Sequence, residues 1–262
     1  MMSEKNHKAE HSHDAHQAWF DEKWEQGQQN PIIKALRDGV ELQAVLESAP
    51  GFHEAFLQKL DVLDCSDGRI VSGNKMGLPS SGLLSVDNRP KIVQGIKELG
   101  IKTVTGHENC GAAALAFPGP DSDSHGYEYA ESLAADAGVV YKEVRRNKFR
   151  EPNHSESCLV VEGTGRFNCA NWPDFPTQFI DSSPVFNLPD NDTKNDIFAL
   201  TNIALGDHSF GARFDATHPF FIMVSANNQE QLERLMTLSK EAVAKFGDRV
   251  QVKGFVAPAV EK

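Results

Sequence analysis

Two short segments of this sequence gather the residue types that ligate metals. Cys65-Ser66-Asp67-Gly68-Arg69 is one, and Gly106-His107-Glu108-Asn109-Cys110-Gly111 is the other. Two thiolates and one imidazole suit zinc. Three protein ligands leave a fourth position open, which a purely structural site would fill with another Cys or His. Cys110 precedes an Ala-rich stretch that reads as a helix, and a helix N-terminus favours a thiolate. Cys65, Asp67 and Arg69 stand at every second position, so on extended chain they point the same way. A bidentate contact from Arg69 would hold the Asp67 carboxylate ionised. Asp67 could then orient a water on the metal, or leave Arg69 and fill the fourth position. Gly68 and Gly111 allow backbone to approach closely.

The elements that must position these residues are alternating strands and helices. Lys59–Cys65 reads as a short buried strand. Pro90 opens a helix with Ile92, Ile96 and Leu99 at helical spacing, and Gly100 stops it. Ile101–Thr105 is the next strand, and the short helix from Cys110 follows. A long helix is expected near 126–147, carrying Tyr129, Leu133, Val140 and Val144 on one face. Cys158–Val161 and Phe220–Val224 are further strands. Asn227 and Glu230 cap a helix closed by Gly247, and Val250–Val256 is an edge strand. The fold class is therefore α/β, a mostly parallel β-sheet flanked by helices. In such sheets ligands collect at the carboxyl ends of strands, where both motifs lie if their strands are neighbours.

Ahead of this body, residues 15–29 and 31–48 read as helices of an N-terminal arm, with Phe20, Trp24, Ile33, Leu36 and Val40 available to pack on the body or a second subunit. Residues 1–14, with His7, His11 and His13, read as a disordered tail. The rest, 15–262, is one α/β domain in which residues 165–218, Pro- and aromatic-rich over 165–196, stand as an insertion or lid. No internal repeat is visible.

Cys-x-Asp-x-Arg, then a strand, then His-x-x-Cys-Gly resembles the β-class carbonic anhydrases. The flanking VLDCSDGRI and TVTGHENCGAA extend the likeness, which covers roughly residues 15–162. It implies that Cys65, His107 and Cys110 bind Zn2+ and that the Asp67–Arg69 pair gates and orients the bound water. The implied activity is reversible hydration of carbon dioxide to bicarbonate, in a homodimer or higher homo-oligomer. In place of the family's Arg-Asn-Ala-type segment stands Ser72-Gly73-Asn74-Lys75-Met76-Gly77, on the pocket wall. Carbonyl sulfide or carbon disulfide is thus the alternative substrate, and a structural or sensory zinc site the non-catalytic alternative. In carbonic anhydrases with three His ligands, zinc brings its water to a pKa of about 7. Two thiolates donate charge to the metal, so a higher value is expected here unless the surroundings compensate.

Composition narrows the partners. Lys plus Arg number 26 against 37 Asp plus Glu, a net charge of −11 that disfavours nucleic-acid backbone. No apolar run approaches the roughly 18–20 residues of a membrane span, and a cytoplasmic protein is expected. Four cysteines are too sparse for a disulfide scaffold. Cys158 reads as core and Cys169 as a plain thiol. His53, His125, His154, His208 and His218 read as surface or packing residues. Gly163-Thr164-Gly165-Arg166 lacks the Lys-Ser/Thr of a phosphate loop. The basic run Lys142–Arg150 reads as a solvated helix face and end.

Overall fold

The computed structural model describes residues 17–57, 60–67, 75–78, 86–144, 155–206 and 210–259. The 1–14 tail, Gly68 and Arg69, Ser72–Asn74, residues 145–154 and His208 lie outside them. The α/β expectation holds, with two parallel sheets in place of one. The first contains β1 (Val62–Cys65), β2 (Lys75–Leu78), β3 (Thr103–His107) and β4 (Val140–Val144), in the order β2-β1-β3-β4. The second contains β5 (Cys158–Glu162), β6 (Gln178–Asp181), β7 (Phe220–Ala226) and β8 (Val250–Val256), in the order β6-β5-β7-β8. Every pairing is parallel. Parallel strands are covered on both faces, which is why β5 and β7 read as continuous apolar runs and are buried throughout.

The strand order is the same in both sheets, a repeat that the sequence does not announce. In hindsight β1 and β5 run into similar text, Asp67-Gly68-Arg69 and Thr164-Gly165-Arg166. The sheets meet where their edge strands β2 and β6 abut. The Ile180 N–H donates to the Ser66 carbonyl at 3.0 Å, and the Gly77 N–H donates to the Ser182 hydroxyl at 3.2 Å. Gly77 is required there, because a Cβ would lie 2.0 Å from the Ile180 carbonyl oxygen. Phe186 and Leu188 also cross over to pack with Ile92, Ile96 and Val104 of the first half.

The arm is seated on the body. Helix α1 (17–29) lays Trp24 against Phe210 and Phe214, with ring centroids 5.3 and 5.1 Å apart. The expected second helix is two, α2 (Pro31–Arg37) and α3 (Leu42–Ser48), parted by Gly39 at φ 85°. Their Ile32, Ile33, Leu36, Leu42 and Leu46 cover Val160, Phe221 and Met223 of the second sheet.

Between strands run α4 (Arg89–Leu99), α5 (Gly111–Ala116), α6 (Ser122–Ala137), α7 (Asp190–Ala204) and α8 (Gln229–Val243). The long helix expected near 126–147 is corrected. It is α6, ended by Gly138 in the left-handed region (φ 71°), and Val140–Val144 turns into β4. Val139, Val140 and Tyr141 favour that strand, so Lys142 at the head of the basic run lies on a sheet edge and not on a helix. The α8 cap is Asn228, whose side chain accepts from the Gln231 N–H, one residue later than expected. The 165–218 stretch supplies β6 and α7 and so is not structureless. Its signals were Pro189 and two acidic residues opening α7, then Ile197, Leu200, Thr201 and Ala204 at helical spacing.

Asp181, at the end of β6, and Asp196, on α7, are 0 % and 2 % exposed. Burial, and then the Asp196 carboxylate, push the Asp181 carboxyl up to about 8, against hydrogen bonds from the Ser183 N–H and hydroxyl. The folded chain thus holds this proton to about pH 8, while the unfolded chain releases it near 3.8. Stability falls as pH climbs through that window and levels off above it. Asp181→Asn is expected to raise Tm at pH 8.5 by about 2–4 °C or more and to change it little at pH 4. Equal shifts at both pH values in thermal melts would contradict this titration.

Candidate metal centre

β1 ends at Cys65 and β3 at His107. The two strands are parallel neighbours, with Val62 against Thr103 and Leu63 against Val104. β2 lies outside β1 and β4 outside β3, so chain direction across the sheet reverses between them and a crevice opens at their carboxyl ends. Cys110 is the N-cap of α5, at the mouth of the same crevice. The ligand atoms of Cys65, His107 and Cys110 lie within 4.8 Å of one another, and the two sulfurs are 3.9 Å apart. Two thiolates at 2.3 Å from one tetrahedral zinc would be about 3.8 Å apart. The donor set and its spacing therefore fit zinc.

Backbone contacts hold this trio in place. Asp64, fully buried, accepts from the Cys65 N–H at 2.8 Å. Asn109 takes the left-handed conformation (φ 55°), which turns the chain from β3 into α5. Asp123, in the first turn of α6, accepts from the N–H groups of Asn109 and Cys110 at 2.8 and 3.3 Å. The His107 Nδ1 lies 2.8 Å from the Glu108 carbonyl oxygen. A carbonyl only accepts, so Nδ1 carries the proton and Nε2 is the ring atom that can take a metal. Neither Asp64 nor Asp123 belongs to the sequence motif, and an acidic residue in a helical first turn is too common a feature to single out.

Proton placement in the unloaded trio is uneven. The hydrogen bond from Cys110 holds the Cys65 thiol well below its ordinary range, and His107 adds to this. The same bond, then burial, pushes the Cys110 thiol up. Burial works against a charged His107, but the Cys65 thiolate and then Asp67 outweigh it and bring the imidazole to about 9. A metal therefore displaces two protons near neutral pH, one from Cys110 and one from His107.

Two small chambers border the trio and share Cys65, Leu78 and Ala112. One, of about 30 Å³, is completed by Thr105, His107, Cys110 and α6 residues including Tyr129 and Ala130. The other, of about 40 Å³, is lined by Asp67 and by Phe179, Ala199, Leu200 and Ile203 of the second half. Sequence reading missed these four, because it assigned no element to their segment. Asp67 is 5 % exposed and stands on that chamber wall, outside the trio. Its expected partner Arg69 lies outside the described residues. A wider cleft of about 730 Å³, between α1, α2 and residues 172–177, contains none of the trio.

The remaining candidates sit apart. Cys158 is fully buried in the core, which pushes its thiol up, and Cys169 packs on the same cluster. His125 pairs with Glu128 at 3.5 Å, and His218 hydrogen-bonds Thr217 at the surface. The Gly163–Arg166 loop closes on the chain's own Glu162 carboxylate, which accepts from the Thr164 and Gly165 N–H groups at 2.7 Å. No helix among the described residues is long and apolar enough to cross a membrane. No protein-family model, curated protein or solved structure gives a match to this chain.

Two outcomes follow for metal binding. Zinc affinity, read by chelator competition, is expected to rise about 100-fold per pH unit between pH 6.5 and 8 as two protons are displaced. A flat profile would contradict the proton placement. Asp123→Ala, which frees the N–H groups of Asn109 and Cys110, is expected to weaken zinc about 10- to 100-fold. Wild-type affinity in that variant would remove Asp123 from the support of the site.

Proposed function

We propose that the chain is a zinc-dependent carbonic anhydrase of the β type, hydrating CO2 reversibly to bicarbonate. The observation that carries this reading is the Cys65–His107–Cys110 trio at tetrahedral spacing, flanked by chambers that admit only very small molecules. Cys65, His107 and Cys110 would hold the zinc, which would lower the pKa of water and so supply a hydroxide nucleophile near neutral pH.

The chain's own groups supply orientation and exclusion. Asp67, while ionised, only accepts hydrogen bonds, so the O–H of the attacking water turns toward it and the oxygen lone pair turns away. In this reading Arg69 keeps Asp67 ionised. Leu78, Ala112, Phe179, Leu200 and Ile203 keep bulk water from the Asp67 chamber and suit an uncharged linear substrate. The same apolar walls solvate bicarbonate poorly, which favours its release after the C–O bond forms. The resemblance carries with it a homo-oligomer, and the composition a cytoplasmic protein with no nucleic-acid partner.

Stopped-flow CO2 hydration on a preparation of measured metal content tests the reading. Cys110→Ala is expected to lose zinc. Asp67→Asn is expected to keep one zinc per chain and to lose turnover by about 100-fold or more. Full activity in Asp67→Asn would overturn the role given to Asp67. Turnover of carbonyl sulfide or carbon disulfide with none of CO2 would replace the substrate. No turnover of any of the three would leave a non-catalytic zinc site.

A further inference from the structure

Thr105 lies on β3 two residues before His107, on the same face of the strand. It is 6 % exposed, and its hydroxyl oxygen is buried with no hydrogen-bond partner among the described residues. Some other buried hydroxyls find partners among the described residues, whereas those of Tyr141 and Ser239 do not. Thr201 donates to the Ile197 carbonyl, and Ser225 donates to Glu162. Valine has the shape of threonine without the hydroxyl and would fill this place at no cost in hydrogen bonding. Thr105 differs from Tyr141 and Ser239 in lining the chamber beside the trio, where its hydroxyl has space for a partner.

That chamber measures about 30 Å³. One water needs about 10–15 Å³ of such space and two to four polar partners, and a purely apolar cavity of this size stays dry. Thr105, Cys65 and Cys110 line the chamber, while Leu78, Ala112 and Ala113 give it apolar walls. With a metal bound, a hydroxyl that can donate and two thiolates that only accept match the hydrogen-bonding needs of one water molecule.

We propose that Thr105 is a positioning residue that anchors a buried water behind the trio, and that this water hydrogen-bonds the ligand sulfurs. The water accepts from the Thr105 hydroxyl and gives its own protons toward Cys65 and Cys110. It thereby fixes the direction of both thiolates and draws some of their charge away from the metal. This inference rests on the metal-binding reading of the trio and not on CO2 as substrate.

The test combines crystallography with cobalt substitution and uses no substrate. High-resolution structures of the zinc-loaded protein are expected to show a water within hydrogen-bond distance of Thr105 Oγ1 and of a ligand sulfur. Thr105→Val is expected to lack it, to weaken zinc about tenfold, and to shift the cobalt–thiolate charge-transfer band. Thr105→Ser is expected to restore all three, and the valine variant to melt no lower than the parent. A dry chamber in the parent protein overturns the proposal. So does a valine variant with unchanged spectrum and zinc affinity. Loss of CO2 turnover alone touches neither readout, so failure of the activity reading is distinguishable.

Discussion

Cys65 and Cys110 are 45 residues apart in the chain, and the parallel pairing of β1 against β3 is what brings them together. That pairing sets the carboxyl ends of both strands side by side, with β2 and β4 on the outer flanks. His107 closes β3, and the left-handed Asn109 then folds the chain back so that Cys110 begins α5 beside it. Asp64 and Asp123 secure the two arms of this arrangement through backbone N–H groups, so ligand placement does not depend on flexible side chains alone. Precision of this kind matters because a metal responds to ligand displacements of a few tenths of an ångström.

The second half of the chain walls the site, and its described residues contribute no ligand to the trio. Its sheet has the strand order of the first, and at the corresponding turn after β5 the chain carries Glu162 where β1 carries Cys65. Glu162 is buried and absorbed by its own loop and by Ser225, which leaves no open donor set there. What this half supplies is surface. β6 abuts β2 at Gly77, and Phe179, Ala199, Leu200 and Ile203 form the wall opposite Asp67. The contact between halves thus both buries apolar area and sets the size of the chamber.

Burial shapes the chemistry as well as the packing. A carboxylate or thiol withdrawn from water is costly in its charged form, so buried groups either share protons or find partners. Asp181 follows the first course beside Asp196. The trio follows both, with a thiolate at Cys65 set against a charged His107 and a protonated Cys110. A metal ion replaces that proton arrangement with a single compact charge, which is the reason the site is matched to a cation.

Local sequence determined the chemistry-bearing residues and most elements. The spacing of Cys65, Asp67, His107 and Cys110, the helix stop at Gly100 and the apolar runs of β5 and β7 are properties of neighbouring residues, so they are legible without the fold. The long-range features were not. Gly138 reads as a tolerable glycine until the sheet claims Val140–Val144. β6 and α7 lie hidden among prolines and acidic residues, because their apolar positions are defined only by what they pack against. The repeat is masked since strand order is a matter of pairing and not of composition. The chamber walls, the grip of Asp123 and the unsatisfied hydroxyl of Thr105 were decided by tertiary structure alone, because burial and partnership belong to the space between elements that the chain order does not encode.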